Sequence, residues 1–381
     1  MTFIRAKRMV QIHQVRTDDP RDVERFIRFP FHLYRGCPYW VPPLVSSARK
    51  QLNRERHPYY RHSDADFFLA TVGKEVVGRI AVLEPRKRNA YRGQKGAFFA
   101  LFDAVDDGEV VRALFDAAFD WARRRGLETI SGPEGFSAGD SLGVLIRGFE
   151  YLPALGIAYN YPYYDRLIQE AGFRKQTDYF SGYLPGSTRL PERIHEIAER
   201  VKARRGFQVL TFRNKAEMRA IAPRVVEAYN AAFAENREFV PITGEDAQRI
   251  IDRLVNLTRP DLSKAVVKGD EIVGFILGFP NVNRALQRCG GRLYPFGWAM
   301  LLWEFHHTDR IDFNGGGILP KYQGLGVDAI MFTELEKTVH ERGFRHAEIV
   351  QVNEQNAKMM REMEGLGVNF YKAHRIYERA L

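Results

Sequence analysis

Residues 315–329 read GGGILPKYQGLGVDA, and the rest of the chain is best understood outward from them. A strand pattern beginning near Arg310 ends at Leu319-Pro320. A loop follows over Tyr322-Gln323-Gly324-Leu325-Gly326-Val327, and a helix pattern runs over 328–341. A strand, a glycine-bearing loop and a helix in this order direct several backbone N–H groups at one spot, at the positive end of a helix dipole. Gly324 and Gly326 let a bulky anion approach the backbone closely, which suits a pyrophosphate. A P-loop is excluded, because no Gly-Lys-Ser/Thr follows and no hydroxyl is placed for magnesium. A dinucleotide fingerprint fits poorly as well: the glycine spacing is wrong, and no acidic residue marks a second strand.

Upstream and downstream of this segment the chain repeats itself. Residues 72–84 (VGKEVVGRIAVLE) and 267–280 (VKGDEIVGFILGFP) each read as two strands around a tight polar turn, with Gly78 and Gly274 early in the second strand. Residues 114–130 and 331–349 each read as an amphipathic helix, a closing glycine and a strand. Beyond that strand, 160–173 and 353–368 each offer an Asn, a helix and a Gly-apolar stop, followed by an aromatic-rich strand. The order hairpin–strand–helix–strand–helix–strand therefore occurs twice, with a joint expected near 185–206. Two domains are expected, 1–190 and 206–381, each a mixed, mostly antiparallel sheet flanked by helices, an α/β (α+β) layer fold.

The chain has 381 residues, 45% hydrophobic and 27% charged, which excludes a disordered or fibrous protein. Two cysteines, Cys37 and Cys289, exclude a disulfide framework and a four-cysteine zinc site. Adjacent His306-His307 lack helical metal-ligand spacing, so no metal is expected. The net charge of +10 favours polyanionic partners. Its basic clusters, at 5–8, 86–92, 123–125 and 202–205, lie in no nucleic-acid motif, so no nucleic acid is expected. The N-terminal stretch lacks an apolar signal core, and the most apolar run, 296–305 (FGWAMLLWEF), is too short to span a bilayer. A cytoplasmic protein is the expectation, as monomer or homodimer, either free or in peripheral contact with an anionic inner-membrane face. The longer segment 292–305 (RLYPFGWAMLLWEF) fits an ordinary core helix, the wall of an acyl pocket, or an interfacial segment touching lipid.

Gln323-x-x-Gly326, with its strand before and helix after, resembles the acyl-CoA pyrophosphate loop of the GNAT superfamily of N-acyltransferases, usually Gln/Arg-x-x-Gly-x-Gly/Ala. The last small residue is replaced here by Asp328. The strand over 347–352 and the Asn353, Asn356, helix and Leu366-Gly367-Val368 that follow also fit, so the resemblance covers the chain from about Phe207 onward. The first half reads FDAVDDGEVVRAL at the corresponding place, without the loop and with four acids, and is expected not to bind CoA. RFPFHLYRGCPYWVPPL (28–44), GPEGFS, LIRGFEYLP and YNYPYYDRLIQEAGF look like a family of duplicated bacterial GNAT-like proteins that includes bacterial ceramide synthases.

The resemblance implies acyl-CoA as co-substrate, held by Ile318, Leu319, Gln323, Gly324, Leu325, Gly326 and Val327, with Asn353 and Asn356 on the pantetheine arm or serving only as helix caps. It implies an oxyanion donor at the backbone of Ile318 or Leu319, and a strand that splays from its neighbour. The acceptor it implies is an amine, in ceramide synthases a sphingoid base that takes a long-chain acyl group. The usual Tyr acid falls on Met363; Tyr371, Tyr377 and Tyr322 are substitutes, Tyr371 the favoured one. The titratable cluster 304–312 offers a base in Glu304 or His306. The stretch 132–164, rich in Gly and aromatics, either shapes an acceptor pocket through Tyr159, Asn160, Tyr163 and Tyr164 or is core packing. Two rivals stay open: short-chain acetylation of a small amine or peptide, and a non-catalytic acyl-CoA sensor.

Overall fold

The computed structural model describes residues 9–137, 140–235 and 239–381; the basic cluster at 5–8 lies outside them. In chain order the elements are β1 (Val10–Gln14), α1 (Pro20–Leu33), α2 (Val45–Leu52), β2 (Asp64–Val72), β3 (Glu75–Glu84), α3 (Arg86–Arg92), β4 (Gly96–Ala104), α4 (Gly108–Arg123), β5 (Thr129–Gly132), β6 (Val144–Arg147), α5 (Tyr163–Glu170) and β7 (Arg174–Pro185). They continue with α6 (Glu192–Arg205), β8 (Phe207–Leu210), α7 (Lys215–Phe233), α8 (Gly244–Leu257), β9 (Lys264–Lys268), β10 (Glu271–Pro280), α9 (Asn283–Arg288), α10 (Gly297–His307), β11 (Arg310–Ile318), α11 (Val327–Glu341), β12 (His346–Asn353), α12 (Ala357–Gly365) and β13 (Asn369–Ala380).

The chain forms two compact units that are not successive in sequence. The first takes Met1–Tyr179, Asn283–Met300 and Lys372–Leu381; the second takes Phe180–Val282 and Leu301–Tyr371. A single joint near 185–206 does not describe this division. The helix α6, left by the sequence as a connecting segment, is part of the second unit: Ala198 is buried in its core, and His195 meets Glu336 of α11 at 2.9 Å.

Both units follow one plan. In the first, β1, β2, β3 and β4 pair antiparallel, and β4 then pairs parallel with β5 across the crossover helix α4. In the second, β8, β9, β10 and β11 pair antiparallel, and β11 pairs parallel with β12 across α11. The two hairpins turn at Gly73 (φ +61°) and Gly269 (φ +59°), left-handed positions that glycine takes without strain. The repeat is longer than the sequence shows, because a strand and two helices precede each hairpin: β1, α1 and α2 in one unit, β8, α7 and α8 in the other.

The repeated glycines have one physical role. A Cβ on Gly78 would lie 2.7 Å from Leu114 of α4, and one on Gly274 would lie 2.9 Å from Val327 of α11. Each glycine lets its crossover helix sit close on the sheet. The apolar face beneath α4 holds Phe99, Phe115 and Trp121, and that beneath α11 holds Ile311, Phe313, Ile330 and Leu335. Among the described residues no helix is long and apolar enough to cross a membrane.

Candidate functional site

The parallel pair of the second unit comes apart. Registered pairing of β11 with β12 runs from Arg310–His346 to Phe313–Ile349 and stops there. Beyond that point β11 stays on β10, with Gly316, Gly317 and Ile318 opposite Ile276, Phe275 and Gly274. Between these pairs and Gly278–Phe313 two residues of β11, Asn314 and the left-handed Gly315 (φ +91°), stand opposite the single Leu277, and this bulge marks where β11 turns. On the other side Gln351 holds φ +52°, its N–H donating to Ser181 Oγ of β7 at 3.1 Å. A non-glycine residue in that region is held there by its surroundings.

The ladder decides which amides face the resulting gap. Leu319 N–H donates to Val273 C=O at 2.9 Å, so Leu319 and Val273 form a hydrogen-bonded antiparallel pair. Such pairs alternate with non-bonded ones. The amides of Ile318 and Gly316 therefore point away from β10, to the side where β12 has departed. Of the two amides proposed from sequence as oxyanion donors, the Leu319 amide is already committed and the Ile318 amide is directed into the gap. Gln323 Nε2 donates to Ile318 C=O at 3.3 Å, which ties the loop to the end of the strand.

The loop then enters α11 through two left-handed glycines, Gly324 (φ +72°) and Gly326 (φ +88°). Gly326 occupies the N-cap position, where no side chain caps the helix. A Cβ on Gly324 would meet only Lys358 Nζ, at 4.0 Å, whereas one on Gly326 would meet Val201 of α6 at 2.7 Å. Gly324 thus faces open space and Gly326 faces a packed helix. Asp328 departs from this anion-friendly arrangement: its carboxylate accepts the Ala329 N–H at 3.0 Å. Burial, together with the Asp328 charge, pushes the Glu362 carboxyl up, against the pull of Lys358.

On the sheet face opposite α11, polar side chains gather at the closed end of the gap. Asp312 and Glu348 are neighbours in the β11–β12 register, and both are buried. Tyr371 donates to Glu348 Oε2 at 2.7 Å, and Asn281 Nδ2 donates to Asp312 Oδ2 at 2.8 Å. Burial and the Glu348 charge raise the Tyr371 phenol far above its ordinary value, so it keeps its proton throughout the neutral range.

No family model matches the chain. It is 29% identical to the bacterial ceramide synthase of Caulobacter vibrioides over 95% of this chain and 96% of that one. It is 28% identical to Protein YghO of Escherichia coli over 94% and 93%. Among solved structures, a tandem GNAT protein from the clavulanic acid biosynthesis pathway superposes with a TM-score of 0.59 at 14% identity, covering 98% of both chains. The chain has the tandem GNAT fold.

In the first unit the turn into the crossover helix is built differently. Its β4–β5 pairing also ends early, at Phe98–Ser131, but Asp107 caps α4, accepting from the Glu109 and Val110 amides. A side-chain carboxylate thus fills the cap position that Gly326 leaves open in the second unit. The residues expected to line an acceptor pocket are mostly structural. Asn160 is buried, exchanging hydrogen bonds with the Leu145 backbone, and Tyr164 is buried with its hydroxyl against Tyr34 and the Ala104 amide. Tyr163 donates to Ala104 C=O at 2.8 Å. All three side chains bond to the scaffold around them, Asn160 and Tyr164 buried and Tyr163 half-buried. Tyr159, half-buried, packs against Tyr34 and Tyr39. An open recess of about 460 Å³ in the first unit is lined instead by Phe31, Tyr34, Cys37, Trp40, Gln287 and Arg288, four of them from the early aromatic segment.

The remaining sequence candidates sort by position. Asn356 caps α12, accepting the Met359 amide at 3.2 Å, and Asn353 Oδ1 accepts the Gln355 amide at 2.8 Å in the turn between β12 and that helix. Met363 is buried in the packing of α12. Tyr322 donates to Glu271 Oε2 at 2.8 Å, and Tyr377 donates to Asp165. Glu304 is buried and His306 exposed, both on α10 rather than on the strands that frame the gap. Glu348 was missed by sequence reasoning. Its signal was an acid inside the apolar alternation HAEIVQV, on a strand too regular to suggest chemistry. Among the described residues no group of three or more His, Cys, Asp or Glu side chains is placed to hold a metal ion.

Proposed function

We propose that the chain is an acyl-CoA-dependent N-acyltransferase that transfers a long-chain acyl group to a sphingoid base or another lipid amine at the cytoplasmic face of a membrane. The parting of β11 from β12, with the Ile318 amide turned into the gap and the uncapped glycine loop beside it, is the observation that carries the reading. The acyl preference and the amine rest on the full-length similarity to the Caulobacter ceramide synthase.

In this reading the loop amides near Gly324 and Gly326 hold the diphosphate of acyl-CoA, and the pantetheine arm lies in the gap. The neutral amine attacks the thioester carbonyl carbon; the C–N bond forms, the C–S bond breaks, and CoA leaves as its thiolate, which takes a proton from water. The Ile318 N–H receives the negative charge that develops on the carbonyl oxygen. The amine proton passes to a carboxylate, and Glu348 at the closed end of the gap suits this better than Glu304 or His306 on α10. Tyr371, whose proton is held rather than released, acts as a positioning residue on Glu348.

Free-CoA release from palmitoyl-CoA, measured with sphinganine and with small amines and peptides, tests the reaction. Turnover is expected with the long-chain amine, and Glu348→Gln should lower kcat by about a hundredfold with little change in KM. Turnover of acetyl-CoA with small amines alone would favour the short-chain rival, and CoA binding without release to any amine would favour a sensor.

A further inference from the structure

The outward face of α10 and the segment leading into it are apolar. Tyr294 is 83% exposed, Phe296 70%, Trp298 54%, Leu302 54% and Trp303 57%, with Met300 beside them. Most of the exposed large apolar side chains among the described residues thus fall within one ten-residue stretch, 294–303. With about 3.6 residues per turn, Trp298, Leu302 and Trp303 lie on the side of α10 opposite Gly297 and Glu304, both of which are buried. The amphipathic pattern is inverted: the helix carries its acid inward and its tryptophans outward. Folded proteins seldom leave such a patch without a partner.

Charge selects the partner. Arg284, Arg288 and Arg292 are exposed on α9 and on the approach to α10, and Glu304, turned inward, is the only acid over 283–308. Tyr and Trp side chains flanked by arginines suit the headgroup boundary of a bilayer, where the ring enters the acyl region and the guanidinium meets phosphate. The helix, Gly297–His307, is too short to span. Over 283–308 the exposed Asp, Glu, Lys and Arg side chains are all basic, which complements an anionic surface.

We propose that α10 and residues 292–296 form a membrane-docking surface that seats the protein on anionic phospholipid, Trp298, Leu302 and Trp303 entering the interface and Arg288 and Arg292 engaging phosphates. This goes beyond the proposed reaction, and its test needs no turnover. The full chain, without acyl-CoA, is sedimented with vesicles of phosphatidylglycerol and phosphatidylethanolamine and with vesicles of pure phosphatidylcholine. Binding to the anionic vesicles that weakens with added salt is expected, together with a blue shift of tryptophan emission. Trp298→Glu with Trp303→Glu should lower the partition coefficient at least about tenfold, and Arg288→Glu with Arg292→Glu should lower it and flatten the salt dependence. Because these side chains are exposed, the variants should keep the wild-type melting temperature.

No binding to anionic vesicles, or equal binding by the tryptophan variant, would overturn the proposal. So would light scattering that shows a wild-type dimer dissolved by the same substitutions, which would make the face a contact between copies. Vesicle binding through this face in a protein that acylates no amine would leave the docking surface standing and remove the proposed reaction; acylation of a lipid amine by a protein indifferent to vesicles would do the reverse.

Discussion

His374 of β13 is wholly buried, its Nε2 3.3 Å from Ala158 C=O. Burial, helped by the Lys372 ammonium, pushes its pKa down to about 4. The unfolded chain protonates histidine near pH 6.5. Above that pH the folded state loses nothing; as the pH falls further, the unfolded state gains a proton that the folded state refuses, and stability drops until the folded pKa is passed. The loss approaches about 3 kcal/mol. Urea unfolding at pH 7 and at pH 4 should show a steeper loss for the wild type than for His374→Gln, and parallel losses would show that His374 is not the group responsible. The two loop glycines differ at the same scale. A side chain at Gly326 must push Val201 aside, whereas one at Gly324 points into open space. A side chain at Gly324 would therefore alter the loop while leaving the packing of α6 intact, although a left-handed φ still costs an L-residue about 1 kcal/mol.

Among the elements, those with local signals were legible. The Gly73 and Gly269 hairpins, the loop into α11 and the cap of α12 follow from residue types at fixed spacing. What depended on a partner was not. Helix α6 is charged along most of its surface and reads as a connector, yet Ala198 and Val201 form a narrow stripe that packs against α11. The run 296–305 is apolar all round, so periodicity could not say which side is covered, and the outward tryptophans of α10 emerge only from the fold. Ile318 and Leu319 are equivalent in sequence; only the bond from Leu319 to Val273 tells which amide is free for the gap. Asn160 and Tyr164 stand out in sequence because polar and aromatic side chains cluster there, but the backbone partners that both find in the fold carry no sequence signal.

At the scale of the whole molecule, duplication was visible but its interleaving was not, because strand exchange leaves no mark on composition. The first unit contains the C-terminal part of β13, which pairs with β5 through Tyr377–Gly132 and its neighbours and with β6 through Ala373–Arg147. Arg375 of that strand holds Asp178 with two bonds, at 2.8 and 2.9 Å. A fragment of residues 1–190 lacks these contacts. It should show no cooperative thermal transition by near-ultraviolet circular dichroism, and a sharp transition in that fragment would mean that the first unit folds without its C-terminal strand.

The second unit carries the central claim, that the opening between β11 and β12 and the loop beside it bind the CoA moiety. Calorimetric titration of CoA into the wild-type chain and into Gly324→Val examines this most directly. The wild type should bind one CoA, and the variant should bind at least about tenfold more weakly, with its melting temperature lowered by only a few degrees for the strained φ. Equal affinity in the two proteins would contradict the assignment of the site.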